Sequence, residues 1–224
     1  LCNENNNVII HSGPGFKNDI IHVCICKNDG LVFLNPRMSD DEYDIYYETQ
    51  YDKKYFDKKN ILDEHRFKKA ENIISRLRSE NYLDFQNILE IGPGMGFELE
   101  FFSKKFKNAN IFAMAKNIQC KKRLSSMGVN ICDNKIFETK EFNKKFDLII
   151  VNHVLEHITN PIKFLNSIKL KLSDNGVIYI AVPNMFKSFG NLRKYWFRLP
   201  HIFYFSSNTL IAILNSAKLK PIKI

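Results

Sequence analysis

Disulfide frameworks, membrane spans and secretory leaders each leave marks that are missing from this chain of 224 residues. Its five cysteines (Cys2, Cys24, Cys26, Cys120 and Cys132) are too few and too unevenly spaced for a disulfide framework. No apolar run approaches the roughly 18–20 residues that a membrane helix needs. No basic-apolar-small leader opens the chain, which begins at Leu1 rather than Met; the expectation is that the natural N-terminus lies further upstream. Together these absences predict a reduced, soluble, cytoplasmic protein. What is present agrees: 45% hydrophobic and 25% charged residues exclude wholesale disorder. The length allows one large domain, or one domain with a small appendage, and a substantial core.

Acidic residues are in deficit. There are 33 Lys+Arg against 24 Asp+Glu, a formal charge of +9. Most of the excess is lysine, scattered in pairs such as Lys53-Lys54, Lys104-Lys105, Lys121-Lys122 and Lys144-Lys145. Nucleic-acid readers concentrate their charge in one patch, often with arginine forks or interleaved aromatics. A solvated surface is therefore the favoured reading and nucleic acid is not an expected partner; a small anionic partner remains the alternative.

Along the chain, residues 1–60 differ from the rest. An Asn-rich start, a Gly13-Pro14-Gly15 turn and two apolar runs, Ile20–Ile25 and Leu31–Leu34, precede a tyrosine-rich acidic stretch. Asp29-Gly30 between the two runs predicts a hairpin. Residues 62–80 carry helical spacing, with Phe67, Ile73, Ile74 and Leu77 on or near one face. From residue 87 strands and helices alternate. Strands are predicted at Asn87–Ile91, Ile111–Met114, Val129–Cys132, Phe146–Asn152, Gly176–Val182 and Lys218–Ile224. Helices are predicted at Phe97–Phe106, Ile118–Met127, Pro161–Leu172 and Asn208–Ala217. Wholly apolar strands between helices mean a sheet covered on both faces. The fold class expected is α/β, a doubly wound, mostly parallel sheet over 61–224, with a small N-terminal appendage over 1–60.

Between the first strand of that pattern and its helix lie Gly92, Gly94 and Gly96, preceded by Glu90. Glycine lets the backbone turn sharply and approach a ligand, while the helix N-terminus offers unbonded N–H groups. The spacing G-x-G-x-G is not the G-x-G-x-x-G of dinucleotide dehydrogenases. The segment ILEIGPGMGFELEFF (Ile88–Phe102) resembles motif I of the class I S-adenosylmethionine-dependent methyltransferases. FDLIIVNHVLEHITNPIKFLNSIKLKLSDNGVIYIAVPN (Phe146–Asn184) is similar to their fourth strand, following loop, helix and fifth strand, and Arg198–Lys220 resembles the segment around their last helix. The resemblance covers residues 62 to 224. It implies S-adenosyl-L-methionine as cofactor, S-adenosyl-L-homocysteine as product, and Glu90, Gly92, Gly94, Gly96, Ala115, Asp133, Asn152, His153 and Tyr51 as cofactor-binding positions.

One position departs from the family. Where an Asp or Glu normally takes the ribose hydroxyls, this chain has Ala115, followed by Lys116 and Asn117. Loss of that carboxylate predicts weaker cofactor binding, with Asn117 a candidate neutral substitute. The family sheet also ends in a hairpin of strands six and seven, whereas this chain reaches only the sixth; the expectation is that further residues follow Ile224.

His153-Val-Leu-Glu156-His157 carries the chemistry expected after the fourth strand. The spacing matches the H-x-x-E-H of inverted zinc proteases, in which a helix would place both histidines on one face. That reading is set aside, because the segment follows a buried strand in a sheet already bearing a glycine loop and no third ligand is apparent. In the methyltransferase reading His157, His153 and Glu156 are the catalytic candidates. A hydroxyl acceptor must lose a proton, and a histidine near its ordinary pKa of about 6.5 can take it. The bland alternative is that Glu156 and His157 only brace the loop. Some related quinone-precursor O-methyltransferases hold a divalent ion with this loop, the matching positions being His153, Glu156 and His157; no metal is expected here.

Tyr195, Arg198, His201 and Tyr204 are candidate acceptor-binding residues, the alternative being a hydrophobic cap on the core. The stretch from Cys24 to Arg37 resembles the end of a zinc ribbon found before some sugar-tailoring methyltransferases, with Asp29 where a cysteine is usual; no zinc is expected. The resemblance and the charge point to a sugar, sugar nucleotide or phosphorylated glycan precursor methylated at oxygen, in polysaccharide biosynthesis. The alternatives are a degenerate methyltransferase fold serving as a binding module, and an RNA methyltransferase.

Overall fold

The computed structural model describes residues 6–16, 19–51, 63–82, 84–133, 144–187, 197 and 199–224, with the side chains of 50, 51 and 63–66 excepted. In chain order the elements are β1 (Asn7–Pro14), β2 (Ile20–Cys26), β3 (Val32–Asn35), α1 (Asp40–Tyr46) and a π-turn (Tyr47–Tyr51). There follow α2 (Asp63–Ser79), β4 (Asn87–Ile91), α3 (Phe97–Lys105), β5 (Asn110–Met114), α4 (Ile118–Ser126) and β6 (Asn130–Cys132). The rest comprises β7 (Phe146–Asn152), a 3₁₀ turn (Leu155–His157), α5 (Pro161–Lys169), β8 (Leu172–Ala181), a 3₁₀ turn (Met185–Lys187), β9 (Phe203–Tyr204) and α6 (Ser207–Ser216).

Two compact units result: Leu1–Tyr51 with Leu155–Asn166 and Val182–Ile224, and Asp52–Val154 with Ser167–Ala181. They do not follow the division into 1–60 and 61–224, because segments from both ends of the chain build the first unit.

In the first unit, β1, β2, β3 and β9 form an antiparallel sheet in that order. The hairpin predicted at Asp29-Gly30 is present. Gly30 adopts φ +71°, its N–H donates to the Cys26 carbonyl at 3.0 Å, and Asp29 Oδ1 accepts from the Leu31 N–H at 2.9 Å. Val23, Val32, Leu34 and Tyr204 form the core of this sheet. Cys24 and Cys26 are buried within it, neither in a disulfide, and burial raises the Cys24 pKa. Cys2 lies outside the described residues. α6 opens with a reciprocal capping box between Ser206 and Thr209, the arrangement that satisfies two N-terminal N–H groups at once.

The second unit holds a parallel five-stranded sheet in the order β6-β5-β4-β7-β8. Reversal of strand order on either side of β4 is the mark of a doubly wound sheet, and it puts ligands beyond the carboxyl ends of the central strands. β4 and β7 are buried almost throughout, as strands covered on both faces must be. Ile88, Leu148 and Ile150 meet Leu99 and Phe102 of α3, Leu124 of α4 and Ile73 and Leu77 of α2 in one core. Each such side chain contributes about 1.5–3 kcal/mol when withdrawn from water. Asp147 ties three strands together: Oδ2 accepts from the Gln86 and Asn87 N–H groups at 2.9 Å each, and Oδ1 accepts from Ser173 Oγ–H at 2.9 Å.

Two boundaries differ from the sequence reading. The helix expected over Pro161–Leu172 ends at Lys169, because the chain pairs early with β7, Leu172 opposite Phe146, before a bulge leads to Val177 opposite Leu148. Lys218–Ile224 forms no strand. Lys218 leaves α6 at φ +55°, and no strand among the described residues pairs with the segment, so its β-like composition lacks the ladder that would hold it extended. No helix among the described residues is long and apolar enough to cross a membrane.

Candidate functional site

The loop after β4 is shaped by its glycines. Gly92, Gly94 and Gly96 have φ of +66°, +54° and +74°, in the left-handed region that side chains disfavour. Space reinforces the requirement at two of them. A Cβ on Gly92 would sit 2.7 Å from Val154 Cγ2, and one on Gly96 would sit 2.3 Å from Leu124 Cδ2. The Gly92 N–H donates to the Met114 carbonyl at 3.0 Å, and the Gly96 N–H to the Pro93 carbonyl at 2.8 Å. On the far side of the loop Arg123 of α4 donates from Nη1 to the Met95 carbonyl and from Nη2 to Glu100 Oε2 at 2.9 Å. Its guanidinium lies 4.5 Å from the Phe97 ring centroid.

Glu90, two residues before the first glycine, is 2% exposed, and its Oε2 has no hydrogen-bond partner among the described residues. Burial, reinforced by the Glu98 charge, holds its carboxyl well above the usual carboxylate range. A buried acid at the mouth of a glycine loop suits a cationic ligand group, whose arrival would favour the ionised form.

At the carboxyl end of β5, Ala115 is 8% exposed and its methyl packs in the core. The side-chain oxygen of Asn117, the neutral substitute that the sequence suggested, is already engaged. This Oδ1 is the N-cap of α4, accepting from the Gln119 N–H at 2.8 Å and the Cys120 N–H at 3.2 Å. Asp133 is exposed just past β6, and Asn152 is half-buried at the end of β7. His153 follows, exposed, at φ +55°, its N–H donating to the Ala181 carbonyl at 2.8 Å. A non-glycine residue held there marks a constrained loop.

The second cluster lies in the first unit. Leu155–His157 is a single 3₁₀ turn, so the α-helical face that would align His153 and His157 does not exist. Glu156 is 1% exposed, and its backbone carbonyl accepts from the Ile202 N–H at 2.8 Å. His157 Nδ1 lies 3.2 Å from the Pro200 carbonyl. A carbonyl only accepts, so Nδ1 carries the proton and Nε2 is the basic atom of the neutral ring. Nε2 is 3.8 Å from Glu156 Oε1. The His201 ring packs edge-on to His157 at 4.9 Å between centroids, and Tyr47 and Tyr204 add ring contacts to His157 and His201 at 6.2 and 6.1 Å. Glu156, His157 and His201 bring one ligand atom each within 4.8 Å of one another.

Of the acceptor-binding expectations, His201 joins His157, and Tyr204 is buried in β9. Tyr195 and Arg198 lie outside the described residues, as does the Tyr51 side chain at the end of the π-turn. Tyr47, Pro200 and Arg123 were missed. Tyr47 belongs to the tyrosine-rich stretch already noted, whereas nothing in the local sequence marks Pro200 or Arg123.

A parallel sheet of this strand order with a glycine loop after its central strand fits the Rossmann-like fold of class I S-adenosylmethionine-dependent methyltransferases. A family profile described as "Methyltransferase domain" matches residues 62–224; the chain belongs to that family. Among relatives, (S)-coclaurine N-methyltransferase of Papaver somniferum is 25% identical over 135 residues, 56% of this chain and 37% of that protein. The 1,6-didemethyltoxoflavin-N1-methyltransferase of Burkholderia thailandensis, solved with 1,6-didemethyltoxoflavin and S-adenosylhomocysteine, matches with TM-score 0.63 and 16% identity, over 95% of this chain and 90% of its own. The plantazolicin methyltransferase BpumL, solved with a pentazolic desmethyl analogue and S-adenosylhomocysteine, matches with TM-score 0.53 and 20% identity, over 78% of this chain and 67% of its own. Thus the chain spans little more than a third of the curated relative. At such identities the structural likenesses speak for the fold.

Proposed function

We propose that the protein transfers the methyl group of S-adenosyl-L-methionine to the oxygen of a small, anionic acceptor, a sugar, sugar nucleotide or phosphorylated glycan precursor. The observation that carries the reading is His157, whose tautomer is set by the Pro200 carbonyl at 3.2 Å with Glu156 beside it. When bound, the cofactor would supply an electrophilic methyl group. The glycine loop and Glu90 would hold it: the loop admits close backbone approach, and a buried carboxyl complements a cationic ligand.

At the acceptor, His157 Nε2 would take the hydroxyl proton. Glu156 steadies the imidazolium that forms, and His201 packs against the ring that must hold its orientation. The excess of basic residues favours an anionic acceptor, since the cofactor is itself cationic. Methylation at nitrogen is the second reading, favoured by the (S)-coclaurine N-methyltransferase among the relatives.

Calorimetry with S-adenosylhomocysteine tests the cofactor assignment, and absence of binding at millimolar concentration overturns it. Release of S-adenosylhomocysteine over a panel of sugar phosphates, sugar nucleotides and amines then separates the acceptor classes. With the acceptor found, His157→Gln is expected to lower the rate by about 10²–10⁴, the range for a positioned general base, and to leave S-adenosylhomocysteine affinity unchanged. A variant as fast as the wild type would remove His157 from the mechanism.

A further inference from the structure

The charged group on the glycine loop that the proposed chemistry does not use is Arg123. It makes three contacts at once, all to the loop or to the helix that the loop opens. Nη1 donates to the Met95 carbonyl. Nη2 donates to Glu100 Oε2 at 2.9 Å. The guanidinium plane stacks on Phe97, the first residue of α3, at 4.5 Å. The peptide joining Met95 to Gly96 is thereby held at both of its polar groups, because the Gly96 N–H already donates to the Pro93 carbonyl at 2.8 Å. Leu124, the next residue of α4, fills the space beside Gly96 where a Cβ would stand. Two consecutive residues of one helix thus fix the last glycine of the loop, one by volume and one by hydrogen bonding.

Arg123 is also badly placed on electrostatic grounds alone. A cation near the N-terminus of α3 opposes the helix dipole and stands close to a loop that would receive a cationic cofactor. Glu100 offsets this, and its carboxyl is held below the usual range by its hydrogen bond to Lys104 and by the Lys104 and Arg123 charges. With its charge offset by a carboxylate that it shares with Lys104, what Arg123 adds at the loop is geometry. Only arginine provides two divergent N–H donors and a stacking plane together; lysine provides one point charge.

We propose that Arg123 is the positioning residue of the cofactor loop: by pinning the Met95 carbonyl it holds the Gly92–Gly96 backbone in the conformation that receives S-adenosylmethionine. The proposal rests on the cofactor reading above.

The test compares Arg123→Met and Arg123→Lys with the wild type, using calorimetric Kd for both S-adenosylmethionine and S-adenosylhomocysteine, and kcat and KM once the acceptor is known. Ile73→Val, a core change in α2, serves as a control for general loss of stability. All measurements are made well below each variant's melting temperature. Positioning predicts that both Arg123 variants weaken both ligands by the same factor, tenfold or more, with KM for the cofactor raised, kcat at saturation retained, and the control unchanged. Any of four results overturns it. Wild-type Kd in both variants would make Arg123 a stability element only. Rescue by lysine, or selective tightening of the cationic S-adenosylmethionine in Arg123→Met, would make its role that of a charge. A drop in affinity equal to that of Ile73→Val would make it nonspecific. Failure of the wild type to bind either ligand would instead remove the cofactor reading itself.

Discussion

Replacing Ala115 by aspartate should tighten cofactor binding while loosening the free protein. Ala115 stands at the carboxyl end of β5, one residue past Met114, whose carbonyl receives the Gly92 N–H at 3.0 Å. If the ribose lies there, as the family resemblance implies, nothing at position 115 can accept its hydroxyl protons. Asn117 is committed to the α4 cap, and Lys116 brings a cation. Hydrogen bonds to a carboxylate are worth about 1.5–3 kcal/mol, and each decade of affinity corresponds to about 1.4 kcal/mol. The variant should therefore bind S-adenosylhomocysteine about 10- to 100-fold more tightly. Without ligand the same carboxylate sits at a position only 8% exposed, and an unsatisfied buried acceptor costs about 1–3 kcal/mol. In a domain of this size each kcal/mol lowers Tm by about 2–4 °C. Calorimetry should show the gain in affinity. Thermal melts should show a lower Tm for the free variant and a wider ligand-induced shift than in the wild type. A folded variant whose S-adenosylhomocysteine affinity is unchanged or weaker would refute the placement of the ribose beside residue 115.

Two further changes test the loop and its acid. Gly96→Ala should destabilise the protein more than Gly128→Ala: both positions have positive φ, costing about 1–2 kcal/mol, but only the Gly96 Cβ meets a neighbour, Leu124 at 2.3 Å, while that of Gly128 meets nothing within 4 Å. Equal ΔΔG from urea unfolding would contradict the packing argument. Glu90→Gln addresses the raised pKa. An acid whose folded pKa exceeds its unfolded one binds more protons when folded, so its contribution to stability is complete below the unfolded pKa and is lost as pH rises toward the folded value. The glutamine variant should thus gain Tm relative to the wild type as pH increases from about 4.5, and it should bind the cationic cofactor less tightly; a pH-independent difference in Tm would show that Glu90 is not buried as a neutral acid.

Local patterns made the sheet legible, and long-range contacts hid much of the rest. β4 and β7 are largely apolar runs, interrupted by Glu90 and Asp147, and the glycines between β4 and α3 have the sharp-turn conformation that their spacing suggested. Lys218–Ile224 has strand-like composition but no partner, a circumstance that residue preference cannot see. The H-x-x-E-H spacing suggested a helical face, yet the positive φ of His153 and a short 3₁₀ turn replace it. His157 and His201 are far apart in sequence and meet because Glu156 and Ile202 share a backbone hydrogen bond. Arg123 sits in a Lys-Lys-Arg run that looks like an ordinary solvated helix face; only the fold shows that one member turns inward to the loop.

The antiparallel sheet of the first unit also sets the order of events as the chain is made. The β2–β3 hairpin is local and can close within microseconds of emerging, but Val32 and Phe33 wait for Tyr204 and Phe203 as their outer partners. At roughly 5–20 residues per second, the ribosome needs on the order of ten to thirty seconds to deliver β9. Throughout that interval the open edge of β3 is a template for any extended segment nearby. The strands of the parallel sheet, β4 to β8, are all synthesised before β9. Closing that edge is therefore a late step, set by the long separation in sequence between β3 and β9.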